Sequence, residues 1–145
     1  CLFLNNDATD DGGAAKFEVG SSPSFSYCDF VDNTVDDDAG GIQTYATTSS
    51  FDHCVFSGNQ CTDHAGALII GESSSSTITS CTFVGNVGGT TNRCSGISVT
   101  IGSTCDISST IIAFGTQGEA ILESNGGLAT LNCCDLYGNS GGDWI

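Results

Sequence analysis

Cys28-Asp29-Phe30-Val31-Asp32-Asn33 is one copy of a hexad, Cys-x-Phe/Leu-x-x-Asn, and it decides the fold because the chain repeats it at a fixed interval. The other copies are Cys1-x-Phe3-x-x-Asn6, Cys54-x-Phe56-x-x-Asn59, Cys81-x-Phe83-x-x-Asn86 and Cys134-x-Leu136-x-x-Asn139. The first four cysteines stand 27, 26 and 27 residues apart, and the longer gap before Cys134 holds a degenerate copy, Thr110-Ile111-Ile112-Ala113-Phe114-Gly115. A period of this length marks a solenoid, in which each repeat buries its apolar side against its neighbours.

Two further columns keep the same register. An apolar residue stands three positions before each cysteine or its substitute: Phe25, Phe51, Ile78, Ile107 and Leu131. A small residue followed by alternating apolar positions also recurs: Gly13 before Ala15, Phe17 and Val19; Gly40 before Ile42 and Thr44; Gly66 before Leu68 and Ile70; Ser95 before Ile97, Val99 and Ile101. Each repeat thus offers three short stretches of period two, the spacing of half-buried strands, separated by Gly, Ser, Asn and Asp. The expected fold is an all-β parallel β-helix of five to six coils, 26–27 residues and three short strands per coil, forming a single domain over residues 1–145. The chain is expected to be a segment of a longer solenoid or a self-stacking unit, with its end closed either by Trp144, which falls in an inward column, or by a cap from further sequence or a neighbouring subunit.

In a parallel stack like residues lie above one another, so the hexad predicts ladders. Cys1, Cys28, Cys54, Cys81, Thr110 and Cys134 are read as an inward stack of small apolar groups beside Phe3, Phe30, Phe56, Phe83, Ile112 and Leu136. Asn6, Asn33, Asn59, Asn86 and Asn139 form an amide ladder, interrupted at Gly115. These asparagines, and Gly115, are expected to take the left-handed backbone of a sharp corner. The ladder cysteines are expected mostly as free thiols, since each has two equivalent neighbours, with pairing between adjacent coils as the alternative. Cys61 shares a column with Ala8 and Val35, and Cys94 one with Gly12, Ala39 and Ala65; Cys105 and Cys133 are placed in outward or loop columns as the better candidates for a disulfide.

Charge narrows the partners. The chain has 17 acidic residues against Lys16 and Arg93, a formal net charge of −15. Phosphate backbones need clustered Lys or Arg, so nucleic acid is excluded as a partner, and anionic membranes and polyanionic sugars are disfavoured. No run of apolar residues is long enough for membrane insertion. The surface is mostly uncharged-polar and acidic, which points to an extracellular or cell-surface setting.

The chemistry-bearing stretch is an acidic loop. Three positions before the recurring small residue stand Asp10, Asp37, Asp63 and Asn92, and two before it stand Asp11, Asp38, His64 and Arg93. Carboxylates one strand spacing apart repel, which solvent, a raised pKa or a bound cation relieves. One reading is a solvated acidic rim with Arg93 as counter-charge near His64. The other is Ca²⁺ held by Asp10, Asp11, Asp37 and Asp38, with Asp36 in reserve and Asp63 beyond, since hard oxygen ligands suit that ion. No cofactor is required, and no residue is assigned a catalytic role: His53 falls in the outward column of Tyr27, Ser80 and Ser109.

The motifs resemble those of parallel β-helix repeat proteins of bacterial cell surfaces, including chlamydial polymorphic outer-membrane proteins with Phe-x-x-Asn and Gly-Gly-Ala-Ile type repeats. The matching pieces are Phe3-Leu4-Asn5-Asn6 with Gly12-Gly13-Ala14, Phe30-Val31-Asp32-Asn33 with Gly40-Gly41-Ile42, Phe56-Ser57-Gly58-Asn59 with Ala65-Gly66-Ala67, and Phe83-Val84-Gly85-Asn86 with Ser95-Gly96-Ile97. The resemblance implies a right-handed helix and a secreted structural or adhesive role, with self-association through end coils and a glycan or host or matrix surface as partners. The rival expectation is a calcium-dependent carbohydrate-active enzyme or binding module of pectate-lyase-like fold. Those enzymes use a basic residue at the sugar, and this chain has Lys16 and Arg93 alone, in no Arg-x-Lys pattern.

Overall fold

The interior of the protein is a set of aromatic and aliphatic stacks held at strand spacing. In the computed structural model, which describes residues 1–91 and 93–143, Phe3 lies over Phe30, Phe30 over Phe56, Phe56 over Phe83, Phe83 over Ile112 and Ile112 over Leu136. The four phenylalanine rings are stacked with centroids 4.7, 4.6 and 4.6 Å apart. Those separations match the hydrogen-bonded spacing of neighbouring strands, so backbone pairing and ring packing are satisfied by one geometry.

This column belongs to a first sheet of six parallel strands, from Leu2–Leu4 through Asp29–Val31, Val55–Ser57, Thr82–Val84 and Ile111–Ala113 to Asp135–Tyr137. A third sheet of five strands, Ala15–Phe17, Ile42–Tyr45, Leu68–Gly71, Cys94–Thr100 and Glu119–Ser124, supplies the inward column Ala15, Ile42, Leu68, Ile97 and Ile121. A fourth sheet of five, Ser24–Ser26, Thr48–Asp52, Ser75–Thr79, Thr104–Ser108 and Leu128–Asn132, supplies Phe25, Phe51, Ile78, Ile107 and Leu131. The molecule is therefore a parallel β-solenoid of about five turns, with no helix among the described residues.

A second sheet, between the first and third, departs from the expected three strands per coil. Asp7–Ala8, Thr34–Val35 and Gln60–Cys61 pair as two-residue strands, giving the first three coils four strands each. Ala8, Val35 and Cys61 stack in register there, and beyond them Val87 carries only single bridges to Gln60 and Thr116. Two residues are too few to show a period, which is why the sequence pattern hid them. Coil length also varies more than 26–27: equivalent residues are 27, 26, 27, 29 and 24 apart along the stack.

The corners correct the expected role of asparagine. Positive φ falls on the residue before each ladder position: Asn5, Asp32, Gly58, Gly85, Phe114 and Gly138 precede the asparagine column, and Tyr27, His53, Ser80, Ser109 and Cys133 precede the cysteine column. The ladder asparagines and Gly115 do not have positive φ. A left-handed residue interrupts strand pairing and turns the next N–H inward, where it needs an acceptor. The ladder side chain of the following coil supplies one. Asn6, Asn33 and Asn59 donate their backbone N–H to Oδ1 of Asn33, Asn59 and Asn86 at 2.9–3.1 Å, and their Nδ2 to the same oxygens at 2.7–3.0 Å. Gly115 is glycine for lack of space: a Cβ there would stand 2.0 Å from Ser95 Oγ, while its N–H still donates to Asn139 Oδ1 at 2.9 Å.

The cysteine column works the same way and is more than a small apolar stack. Cys54 N–H donates to Cys81 Sγ at 3.4 Å, and Cys81 N–H to Thr110 Oγ1 at 3.2 Å, so threonine replaces cysteine where a hydroxyl can do the thiol's task. A third corner, invisible in the hexad, repeats the device: after left-handed Ala46 and Ser73, Thr47 N–H donates to Ser74 Oγ and Ser74 N–H to Ser103 Oγ, both at 3.1 Å.

All nine cysteines are free thiols. Cys105 is not outward: it is 1% exposed in the inward column of Ser49, Ser76 and Ala129, because it alternates with outward Asp106 on its strand. It faces Ala129 and not Cys133, which is exposed at a corner, so the expected Cys105–Cys133 candidates are far apart in register. Val19 and Ile101, expected inward, are 80% and 48% exposed because both lie past the ends of their strands. Trp144 lies outside the described residues.

Candidate functional site: the acidic loop beside the third sheet

The loop that follows the second sheet is built by stacking, like the strands. Asp36 N–H donates to Ala8 O, Asp63 N–H to Asp37 O, Gly89 N–H to His64 O and Thr91 N–H to Asp63 O, so successive loops lie one upon another. This alignment brings the carboxylates together across coils, in two groups instead of one continuous ladder.

Asp10, Asp11 and Asp37 form the first group, with candidate ligand atoms within 4.8 Å of one another. Lys16, outward on the adjoining strand, already serves it: Nζ lies 2.6 Å from Asp11 and 3.0 Å from Glu18. Those two carboxylates hold the Lys16 ammonium above its ordinary pKa, and it also stands 5.7 Å from the centroid of the Tyr45 ring.

Asp38, expected with the first group, turns to the third coil and joins Asp63 and His64. His64 Nδ1 bonds Asp38 Oδ1 and lies 3.6 Å from Asp63 Oδ2. Burial pushes the Asp38 carboxyl above its ordinary pKa, and the His64 contact opposes that shift. Arg93 is not the counter-charge: it forms no ion pair among the described residues, and its Nε donates to Thr90 O at 3.4 Å. Asn92, expected in the aspartate column, lies outside the described residues. Asp36 accepts a bond from Thr62 Oγ1 through its backbone oxygen and belongs to neither group.

Two residues of the site do not follow from the acidic pattern. Gln43 and Tyr45 alternate with inward Ile42 and Thr44, so they leave the outer face of the third sheet beside the loop. Gln43 is nevertheless fully buried; its Nε2 lies 2.9 Å from Tyr45 Oη and 3.5 Å from Asp38 Oδ2, while its Oε1 has no hydrogen-bond partner. The Tyr45 ring lies over Gly71, where a Cβ would meet the ring at 2.8 Å. Burial, then the Asp38 and Asp11 charges, raises the Tyr45 phenol to about 12. Beside these groups the sheet opens into a groove of about 160 Å³, whose lining includes Asp38, Tyr45, His64, Ile69, Thr100 and Asn125. The signal that could have found Gln43 was strand alternation directly after an acidic loop.

Residues 1–97 match the family model of the right-handed beta helix region. The chain belongs to the right-handed β-helix family. That assignment gives the hand of the coils and agrees with the parallel ladders and the inward phenylalanine stack. No curated protein and no solved structure matches this β-helix.

Proposed function

We propose that this right-handed β-helix is an extracellular structural or adhesive segment that presents a flat hydroxyl-rich face to a glycan or matrix surface. The observation that supports the reading is the outer face of the fourth sheet. Its outward columns are Thr48, Ser75 and Thr104, ending on exposed Leu128; Ser24, Ser50, Thr77 and Thr130 around Asp106; and Ser26, Thr79 and Ser108 around Asp52, ending on Asn132. Hydroxyls bond along the columns, Ser50 to Ser24 at 2.8 Å and Ser108 to Thr79 at 3.3 Å, so donors and acceptors are pre-ordered at strand spacing. Neutral hydroxyls on an acidic molecule favour uncharged partners.

The test is binding to a panel of immobilised neutral glycans and matrix preparations, with Ser50→Lys, Thr77→Lys and Thr104→Lys combined. Binding that is lost in the triple variant, at an unchanged melting temperature, supports the reading. Sustained product release from a polysaccharide, abolished by Asp38→Asn, overturns it in favour of a carbohydrate-active enzyme.

Self-association is a second form of the same reading. The last coil leaves Leu131 and Leu136 lining an open recess of about 370 Å³ with Cys133 and Cys134. A further coil, from this chain or another copy, would cover these apolar groups. Size-exclusion chromatography with electron microscopy decides, and a uniformly monomeric species sinks this form.

A further inference from the structure

We propose that Cys54 and Cys81 are a disulfide site, which a small oxidant such as a peroxide closes into a covalent link between the third and fourth coils. The site is independent of the adhesive reading, since it lies in the interior and its test reads thiols.

The first support is register. Backbone bonds from His53 N–H to Thr79 O at 3.0 Å and from Thr82 N–H to Cys54 O at 2.9 Å bracket the pair and hold the two corners at strand spacing. That spacing is about 4.7–4.9 Å, inside the roughly 4.4–6.8 Å between Cα atoms that a disulfide spans. The second support is contact. Cys54 donates its backbone N–H to Cys81 Sγ at 3.4 Å, and the two thiols are hydrogen-bonded to each other. That bond holds the Cys54 thiol below its ordinary pKa and pushes that of Cys81 up, so the thiolate forms on Cys54 with Cys81 beside it.

The column also selects this pair over its neighbours. Thr110 follows Cys81 and ends the run, so Cys54 is the one cysteine next to Cys81 in the column, and Cys134 stands beyond the break. Toward Cys28 the contact is through the backbone: the Cys54 sulfur accepts the Cys28 N–H, while the Cys28 thiol donates to Ser26 O at 3.3 Å.

The chemistry balances with hydrogen peroxide. The Cys54 thiolate attacks one peroxide oxygen, the O–O bond breaks, and the departing hydroxide takes up the proton that Cys54 released, leaving a sulfenic acid and water. The Cys81 sulfur then attacks the Cys54 sulfur; the S–O bond breaks, and hydroxide leaves with the Cys81 proton as a second water. The pair loses two electrons and the peroxide gains them. Both cysteines are buried, but Cys54 directly follows exposed His53, and a water-sized oxidant enters where that corner opens.

The test is peroxide treatment of the full chain, alkylation of the remaining thiols in denaturant, and peptide mass spectrometry without reductant. Expected is a Cys54–Cys81 linked peptide that reductant removes. Cys81→Thr, a replacement the column already accepts at Thr110, should abolish the link and leave Cys54 as a sulfenic acid that dimedone captures; Cys105→Ser should leave the link unchanged. Refolding from urea in mixed reduced and oxidised glutathione removes the barrier of access: Cys54 displaces one glutathione thiolate, Cys81 the second, and the same link should form. No Cys54–Cys81 peptide by either route, or Cys54 linked to Cys28 as often as to Cys81, overturns the proposal.

Discussion

Asn59 illustrates how much one side chain does in this fold. It is fully buried, its Oδ1 accepts both the backbone and side-chain N–H of Asn33, and its Nδ2 donates to Phe30 O and Asn86 Oδ1. Asn59→Ala strands several buried polar groups at once, each worth about 1–3 kcal/mol, so urea unfolding should show a loss of at least roughly 3 kcal/mol. Asn6→Ala, at the exposed start of the ladder, should lose no more than about 1 kcal/mol by the same measurement. Tyr45 gives a pH-dependent counterpart. Its folded pKa of about 12 stands above the ordinary 10.0, so its contribution to stability is fully present below pH 10 and is lost as pH rises toward 12. Ultraviolet titration should show a late-ionising phenol, and Tyr45→Phe should remove that phase.

At the scale of strands and corners, two glycines separate the reasons for lacking a side chain. A Cβ on Gly40 would lie 2.4 Å from Gly66 O and 2.5 Å from Gln60 N, backbone atoms of the next coil that cannot yield. Gly85 has open space but a φ of 63°, where a side chain is strained but tolerated, as Phe114 shows in the next coil. Gly85→Ala should therefore cost about 1–2 kcal/mol, and Gly40→Ala clearly more, or prevent folding; equal effects in denaturant melts would refute the distinction. The hexad made the stacking legible because Cys, Phe and Asn recur with their spacing, and the registers Phe30 over Phe56 and Phe51 over Ile78 follow directly from it. The left-handed residue was harder to see, since Asn5, Asp32, Gly58 and Phe114 share a conformation and not a side-chain type. The site was only half legible for a related reason: aspartate spacing shows which residues share a loop, but not that Asp38 turns toward His64 or that the loop covers Gln43.

For the molecule as a whole, charge and shape act together. A net charge of −15 on a narrow stack leaves carboxylates with few neutralising partners, Lys16 being the paired cation near the loops among the described residues. Self-repulsion of this kind is screened by salt, with a Debye length near 10 Å at about 0.1 M. The melting temperature should accordingly climb by a few degrees between about 0.02 and 0.5 M NaCl, and a flat profile would show that the acidic loops are already neutralised.

The uneven coil lengths have a mechanical consequence. Bonds between coils run along the long axis, so tension applied to the two termini meets them one coil at a time and peels the stack like thread from a spool. Each release pays out roughly 80–100 Å of chain for a coil of ordinary length. The 29-residue and 24-residue coils should break that rhythm, one step about 7 Å longer and the next about 10 Å shorter than that of a 27-residue coil. Single-molecule force traces would then carry a long-short signature that reports which end unravels first.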